Sequence, residues 1–403
     1  MSTPVVSTAD VVIVGGGPAG LSAAIELRRR GAGRVVVYER ELQAGGVPRH
    51  TAHLGYGLRD LHRVTTGPRY AAALTRTAER AGVEIEVGRS VRSFADGIVA
   101  TTGHGGPAAM AATAVLLATG VRERPRAARL VPGDRPAGVL TTGALQQFTA
   151  VHHQRVGTRA VIVGAEHVSF SAVLTLRHAG CEVVAMTTLL PRHQTYAPLA
   201  LATARRHRVP VMTHVDVAEI VGRTRVEAVV LTDGTRLACD TVVFTGDWVP
   251  DHELARTAGL PTAAGSRSPI VDDRWRTEQR GVFAIGNLVH PAETADVCAR
   301  DGRGVAAHVM DWLALGQWPE TVAPIAVEAP IRWAAATAVG ITVRVDAFVT
   351  GRLECRHEGR VVHITRRQEW VPNRAIHLRV HEPIDTIALV SPSIPQLPER
   401  PPR

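Results

Sequence analysis

Gly15, Gly17 and Gly20 stand at the spacing G-x-G-x-x-G, and Glu39 follows nineteen residues after the last of them. Glycines in that pattern, with an acidic residue at that distance, are suited to capturing a pyrophosphate and a ribose. Gly15 permits a tight turn, Gly17 lets backbone approach a phosphate without a Cβ, and Gly20 lets a helix pack against the preceding strand. Pro18 and Ala19 open that helix, whose unpaired N–H groups and positive dipole end favour phosphate. A carboxylate at Glu39 can take both ribose hydroxyls and repels a 2′-phosphate, which leaves FAD or NAD as the ligand.

The elements that must position these residues are legible around them. Residues 11–14 are an apolar run suited to a buried parallel strand, Leu21, Ala24 and Ile25 give the helix an apolar face, Gly31 ends it, and residues 35–37 form a second strand. Residues 40–70 have no clear period, and a loop of that length inside a compact domain is usually functional. Gly45 and Gly46 let its backbone pass close to a bound ring. Residues 70–81 then read as a helix, 83–87, 91–94 and 98–102 as short strands in a meander, and 114–125 as a buried strand ending in Ala118, Thr119 and Gly120.

A second copy of the plan follows. Residues 159–163 read as a strand, Gly164 opens a turn, 170–179 read as a helix and 182–186 as a second strand; residues 241–250 repeat the strand-Thr-Gly-loop-Pro design of the first copy. Residues 281–287, GVFAIGN, are a buried strand ending in Gly286 and Asn287, with a helix expected over 293–315. Pro319, Pro324 and Pro330 mark a linker to a small β-rich region with strands over 341–349, 360–366, 376–380 and 386–390, and the Pro-rich tail 392–403 reads as mobile.

At 403 residues, two or three domains are expected. The start of the chain lacks a basic and apolar leader, and no apolar run reaches the roughly eighteen residues of a membrane span, so the reading is a cytoplasmic protein with no membrane span. Cys181, Cys239, Cys298 and Cys355 are far apart, without metal-ligand spacing, and read as buried small apolar residues. The formal charge is +9, yet all 46 basic residues are arginine. They are scattered, with clusters at 28–30 and at Arg205, Arg206 and Arg208 reading as helix ends, and no aromatic-interleaved basic motif points to nucleic acid. The absence of lysine excludes Schiff-base chemistry, a P-loop, and any mechanism needing an amine beside a flavin.

On the first fingerprint with Glu39, the strand end Ala118–Gly120 with Pro125, and GVFAIGN, the chain resembles the two-dinucleotide-binding-domain flavoproteins of the pyridine nucleotide-disulfide oxidoreductase superfamily over about residues 9–315. The resemblance implies FAD at the first fingerprint, and a ribityl contact at Asn287 where the family has aspartate. The chain departs from the family at three places. No cysteine pair follows Gly45 and Gly46; those positions fall near Pro48 and His53, which excludes dithiol exchange of that kind. The second fingerprint reads Gly164, Ala165, Glu166, His167, Val168 and Ser169, with Glu166 where backbone must touch pyrophosphate. The second strand ends without a carboxylate or an arginine for a ribose, so NAD(P) is doubtful there. These departures resemble the flavoprotein subunits of opine oxidase, hydrogen cyanide synthase and D-hydroxyproline dehydrogenase type complexes, although this chain lacks the cysteine-rich iron–sulfur segment many of them carry.

The expected fold is α/β with two nested Rossmann-like domains: an FAD domain over 1–130 and 263–318, an inserted NAD(P)-type domain over 131–262, and a β-rich domain with tail over 319–403. The expected function is an FAD-dependent dehydrogenase, or one component of such an enzyme, oxidising an amine, imino acid or hydroxy acid as its small-molecule substrate. Electrons would pass to hetero-oligomeric flavoprotein and iron–sulfur partners. FAD would be held by Gly15, Gly17, Pro18, Ala19, Gly20, Glu39, Arg40, Gly46, Ala118, Thr119, Gly120, Gly286 and Asn287. Of His50, His53 and His62, His53 is the candidate general base or hydrogen-bond partner near flavin N5; the other reading is that all three cap turns. Arg49, Arg59 and Arg63 read equally as a clamp for a substrate carboxylate or as solvated charges. Asp247 and Asp251, beside Trp248, line a channel or cap a helix beginning near His252. The alternatives are an NAD(P)H-dependent reductase of a small molecule or electron carrier, and a non-catalytic electron-relay or assembly subunit.

Overall fold

The computed structural model describes residues 7–196, 208–338, 340–380 and 382–393, so Arg205, Arg206 and the tail from residue 394 onward lie outside the described residues. Strand β1 (Ser7–Val14) carries Val11, Val12 and Ile13 with no exposure on either face, as a run of β-branched residues requires when a parallel sheet is covered on both sides. Each such side chain contributes roughly 1.5–3 kcal/mol on burial. The turn after it leads into helix α1 (Pro18–Arg29), which starts with proline in its first turn and ends on Arg28 and Arg29. Strand β2 (Val35–Glu39) then runs parallel to β1.

The first sheet has seven strands among the described residues, with β1 at its centre between β2 and Ala108–Leu117. Val282–Ala284 joins Ala108–Leu117 in parallel from far along the chain, so two separate segments build this sheet. Helix α2 (Gly67–Arg80) is the crossover that brings Glu84–Val87 alongside β2. That strand is therefore not part of a meander, a correction to the sequence reading: the crossover rule for parallel strands carries it to the sheet edge. Arg89–Ala95, Ile98–Gly103 and Ala108–Leu117 do form the antiparallel meander.

The second sheet is wholly parallel, in the order Val139–Thr141, Thr241–Phe244, Arg159–Val163, Glu182–Thr188, Val211–Thr213. Helices α3 (Thr142–Gln146) and α4 (His167–His178) belong to this layer. Helix α4 begins at His167 rather than at residue 170, as α1 begins directly after Gly17. An antiparallel ribbon, Val121–Glu123 with Trp248–Pro250, marks the two passages between the layers.

The last region is all β. Val349–His357 is the axis of one sheet, and Gly340–Val345 lies between Ile331–Thr337 and Ile376–Leu378 in another. The single strand expected over 341–349 is thus two, interrupted at Asp346, and a further strand, Ile331–Thr337, begins directly after the last of the linker prolines. This region is tied to the first layer: Ala338 N–H donates to Asp301 on the long helix Ala295–Leu315 (3.0 Å), and Arg344 donates to the Ala292 carbonyl (2.8 Å). The four cysteines are buried. No helix among the described residues is long and apolar enough to cross a membrane.

The long helix crosses α1 at unusually close range. A Cβ on Gly302 would lie 2.2 Å from the Ala19 carbonyl oxygen and 2.9 Å from the Ala23 nitrogen, so only glycine fits. Gly302→Ala is expected to lower stability by about 1–3 kcal/mol through overpacking, read as an earlier urea midpoint.

Candidate functional site

The first turn brings most of the fingerprint residues into one cradle. Gly15 has φ +109°, and a Cβ there would lie 2.4 Å from the Ala118 carbonyl oxygen; one on Gly20 would lie 2.0 Å from the Gly15 oxygen. These two glycines lock strand, helix and the Ala118 strand end together. Gly17 is different. It is the extended residue before α1 (φ −81°, ψ −174°), no side chain caps the helix, and a Cβ would meet only Gly46 Cα at 3.9 Å. Gly46, at φ +62°, faces it, and Gly45 N–H donates to the Gly16 oxygen (2.7 Å). The two backbones approach so closely that a Cβ on Gly46 would lie 2.8 Å from Gly17 Cα, and they adjoin a helix N-terminus that no side chain caps, whose backbone N–H groups suit a pyrophosphate.

Glu39 is buried and holds the turn, accepting from Gly16 N–H (3.0 Å) and Glu41 N–H (2.9 Å). Gly286, at φ +65°, packs against Ala19, where a Cβ would come within 2.8 Å. Asn287 closes its own loop, donating to the Glu293 carbonyl (3.1 Å) and accepting from Glu293 N–H (2.8 Å). Glu293 is also buried beside Arg344 and His377 of the β region. Gly120 has φ +81° and open space beyond it, while the Thr119 hydroxyl donates to the Asp251 carbonyl (2.7 Å). Arg40 reaches to Asp251 (3.1 Å), which also meets Arg122 (3.2 Å). Asp251 is thus an ion-pair partner and not a helix cap: the short helix Glu253–Thr257 is preceded by His252 and has no side-chain cap. Asp247 pairs with Arg124 (2.9 Å) and borders a small cleft with Trp248.

The loop 40–70 is ordered as a 3₁₀ turn, Val47–His50, and a hairpin of Leu54–Tyr56 with Thr65–Thr66. His53 has both ring nitrogens engaged, Nδ1 with the Leu54 carbonyl (2.8 Å) and Nε2 with the Ser171 hydroxyl on α4 (2.6 Å). His50 is the buried one, its Nδ1 has no partner, and burial beside Arg49 lowers its pKa to about 4, so it is neutral at pH 7. It closely follows the Gly46 turn. His62 is exposed at φ +54°. Arg49 pairs with Glu41 (3.1 Å), whereas Arg59 and Arg63 project from the hairpin. Asp296, in the first turn of the long helix, accepts from Gly57 N–H and Arg59 N–H (2.8 Å each) and so fixes the hairpin. Spacing alone does not set His50 apart from its neighbours, nor does it point to Asp296; both are defined by burial and tertiary partners.

The second turn has the same backbone and the opposite contents. Gly164 has φ +137°, and Glu166 precedes α4 at φ −87°, ψ −177°, within a few degrees of Gly17. The residue is only 7% exposed, and Glu166 Oε1 lies 2.8 Å from where a Cβ on Gly246 would sit. Gly246 is the counterpart of Gly120. The space left open in the first turn is filled by a carboxylate in the second. Ser169 takes the third glycine position, its hydroxyl 2.7 Å from that of Thr245, and the neighbouring strand ends in buried Thr187 and Thr188. Arg129 donates to the Thr245 and Gly246 carbonyls (2.9 Å each) and braces that strand end. Below it Glu123 accepts from Gly143 N–H at the start of α3 (2.9 Å), and burial, aided by the Glu166 charge, pushes its carboxyl up to about 7.

A family profile described as pyridine nucleotide-disulphide oxidoreductase matches residues 9–302, and the chain belongs to that family. It is similar to the ferredoxin reductase component of a chlorobenzene dioxygenase from Cupriavidus sp. strain PS12, at 30% identity over 69% of this chain and 66% of that one. It is also similar to an opine oxidase subunit of Agrobacterium tumefaciens strain Ach5, at 26% identity over 72% and 64%. The chain thus spans about two thirds of the length of these relatives. Among solved structures, the thioredoxin reductase of T. acidophilum shares the fold, with a TM-score of 0.63, 22% identity, and coverage of 75% of this chain and 97% of that one. The protein is an FAD-dependent oxidoreductase, and the first cradle, open and uncapped, fits that cofactor.

Glu123 has a testable linkage. Its folded pKa lies above the ordinary 4.5, so its ionisation carries a stability cost that is absent below pH 4.5, grows as pH rises, and is complete above about pH 7. Glu123→Gln is expected to raise stability by up to about 3 kcal/mol at pH 8 and to change little at pH 4.5, measured by urea denaturation at both pH values.

Proposed function

We propose that this member of the family is a dehydrogenase, or the flavoprotein component of one, that takes electrons from an amine, imino acid or hydroxy acid and passes them to an iron–sulfur partner, without using NAD(P)H. The observation that carries this reading is the Glu166 carboxylate in the space beside Gly246, at the helix terminus where a nicotinamide dinucleotide would place its pyrophosphate. A pyrophosphate entering there would meet both the bulk and the charge of that side chain. The likeness to the opine oxidase subunit supports the substrate class.

In this reading Gly15, Gly17, Pro18, Ala19 and Gly20 hold the FAD pyrophosphate, Glu39 the ribose, and Arg40, Gly46, Ala118, Thr119, Gly120, Gly286 and Asn287 line the rest. When bound, FAD supplies a two-electron acceptor for a hydride equivalent at N5. The chain's own part is to orient and to exclude water. His50 remains neutral and presents an unpaired ring nitrogen behind the Gly46 turn, while His53, tied to Ser171, holds the loop against α4. The N-terminus of the helix Ala295–Leu315, whose first turn fixes the hairpin through Asp296, would lend its dipole to stabilise negative charge on the flavin where a lysine is lacking.

A second reading, an NAD(P)H-dependent reductase of an electron carrier, is favoured by the likeness to the ferredoxin reductase component. Two experiments separate them. Anaerobic mixing of the flavin-loaded protein with panels of amines, imino acids and hydroxy acids is expected to bleach the flavin for at least one class; bleaching by none of them sinks the dehydrogenase reading. Glu166→Gly, which removes one anion from a helix N-terminus, is expected to tighten NAD⁺ binding about tenfold or more by calorimetry. Wild type binding NAD⁺ as tightly as the variant contradicts the blocking role.

A further inference from the structure

Past Gly46 the chain leaves the cradle and forms the hairpin Leu54–Tyr56 with Thr65–Thr66 before entering α2. Leu54, Leu58 and Val64 on this hairpin are 67%, 57% and 54% exposed. Beside them Arg63, Arg69 and Arg76 line an open groove of about 620 Å³ together with Val64 and Thr65. Arg69 and Arg76 are seven residues apart on α2 and so share one face.

These three arginines make no ion pair among the described residues. The contrast with other exposed arginines is direct: Arg34 pairs with Glu84, Arg159 with Glu182 and Arg360 with Glu382. Between residues 42 and 80 six arginines stand against two acids, the exposed Glu79 at the end of α2 and Asp60. Its side chain is fully buried, paired with Arg303 and accepting from the Tyr70 hydroxyl (2.6 Å), so it does not neutralise the surface. The hairpin is also fixed in place by the two backbone bonds to Asp296, so a partner would not have to order it.

We propose that this face, an apolar hairpin flanked by unpaired arginines, docks an acidic iron–sulfur protein as the electron partner. The inference rests on the dehydrogenase reading above and assigns its partner a place. An apolar centre with arginine around it is the composition of a protein interface, and surplus positive charge steers a partner rich in carboxylates. The helix that carries Arg69 and Arg76 also packs on the turn of the cofactor cradle, where a Cβ on Gly45 would lie 2.7 Å from Ala71 Cβ. Nucleic acid is the poorer fit, since no aromatic side chain is exposed on this face to stack a base: Tyr70 is buried and Tyr56 half-buried.

The test uses the full-length, flavin-loaded protein and an acidic plant-type [2Fe–2S] ferredoxin as probe, with affinity measured by calorimetry at low salt and at about 0.5 M salt. Wild type is expected to bind in a salt-sensitive way. The triple variant R63E/R69E/R76E and, separately, Leu58→Asp are each expected to weaken binding about tenfold or more. A control, R223E/R236E/R256E, carries the same change of net charge on exposed arginines elsewhere and should bind like wild type. Flavin content and reduction by dithionite report that each variant is folded.

Salt-insensitive or absent binding by wild type, an equal loss in the control, or tighter binding to anionic vesicles or single-stranded DNA than to ferredoxin would each overturn the proposal. Affinity is read on oxidised protein and needs no substrate. Its failure is therefore distinct from failure of the dehydrogenase reading, which is read on flavin reduction.

Discussion

The side chain of Glu166 sets the terms for the inserted layer. It sits at the N-terminus of α4 in the backbone conformation that Gly17 has before α1, and it places a fixed negative charge where a helix terminus attracts an anion. The chain supplies its own anion to that site. The consequences spread outward: Glu123 is held partly protonated by burial and by this charge, Arg129 braces the strand end that faces it, and Ser169 and Thr245 bond to each other where a glycine and a dinucleotide would otherwise meet.

The first cradle works by the opposite device. Gly15 and Gly20 are packed so tightly that no side chain fits, and Gly46 lies against Gly17, where a Cβ would come within 2.8 Å. Tight packing around the turn gives a rigid helix terminus that no side chain caps. The rest of the molecule keeps that terminus in place. Gly302 lets the long helix lie on α1, Asp296 fastens the hairpin, and Arg344 of the β region reaches into the loop that Asn287 closes. Two similar turns in one chain thus differ in what fills them, one left open in front and one closed by its own carboxylate.

Much of this is legible in the sequence, and the reasons are specific. The strand–turn–helix–strand around Gly15 and Glu39 is written in local spacing, and the altered residue Glu166 stands at a position whose backbone role is known, so its effect on a phosphate site can be read directly. Residues defined by tertiary partners are not legible in this way. Place in the loop favours His53 over His50, yet it is His50 whose ring nitrogen is buried and unpaired, a distinction set by Gln146 and α4 folding back from the second layer. Asp251 reads as a helix cap and is an ion-pair centre, because Arg40 and Arg122 come to it from other elements. In the last region alternation locates most strands but not the break at Asp346, where the chain changes sheets.

The most direct test of the account is an anaerobic titration of the flavin-loaded wild-type protein with NADH and then NADPH, following the yellow flavin absorbance, with dithionite as the positive control. With Glu166 filling the second cradle, neither nucleotide is expected to bleach the flavin while dithionite does. Rapid stoichiometric bleaching by either one would contradict the account, because it would mean that the inserted layer still delivers a nicotinamide to the flavin despite the carboxylate.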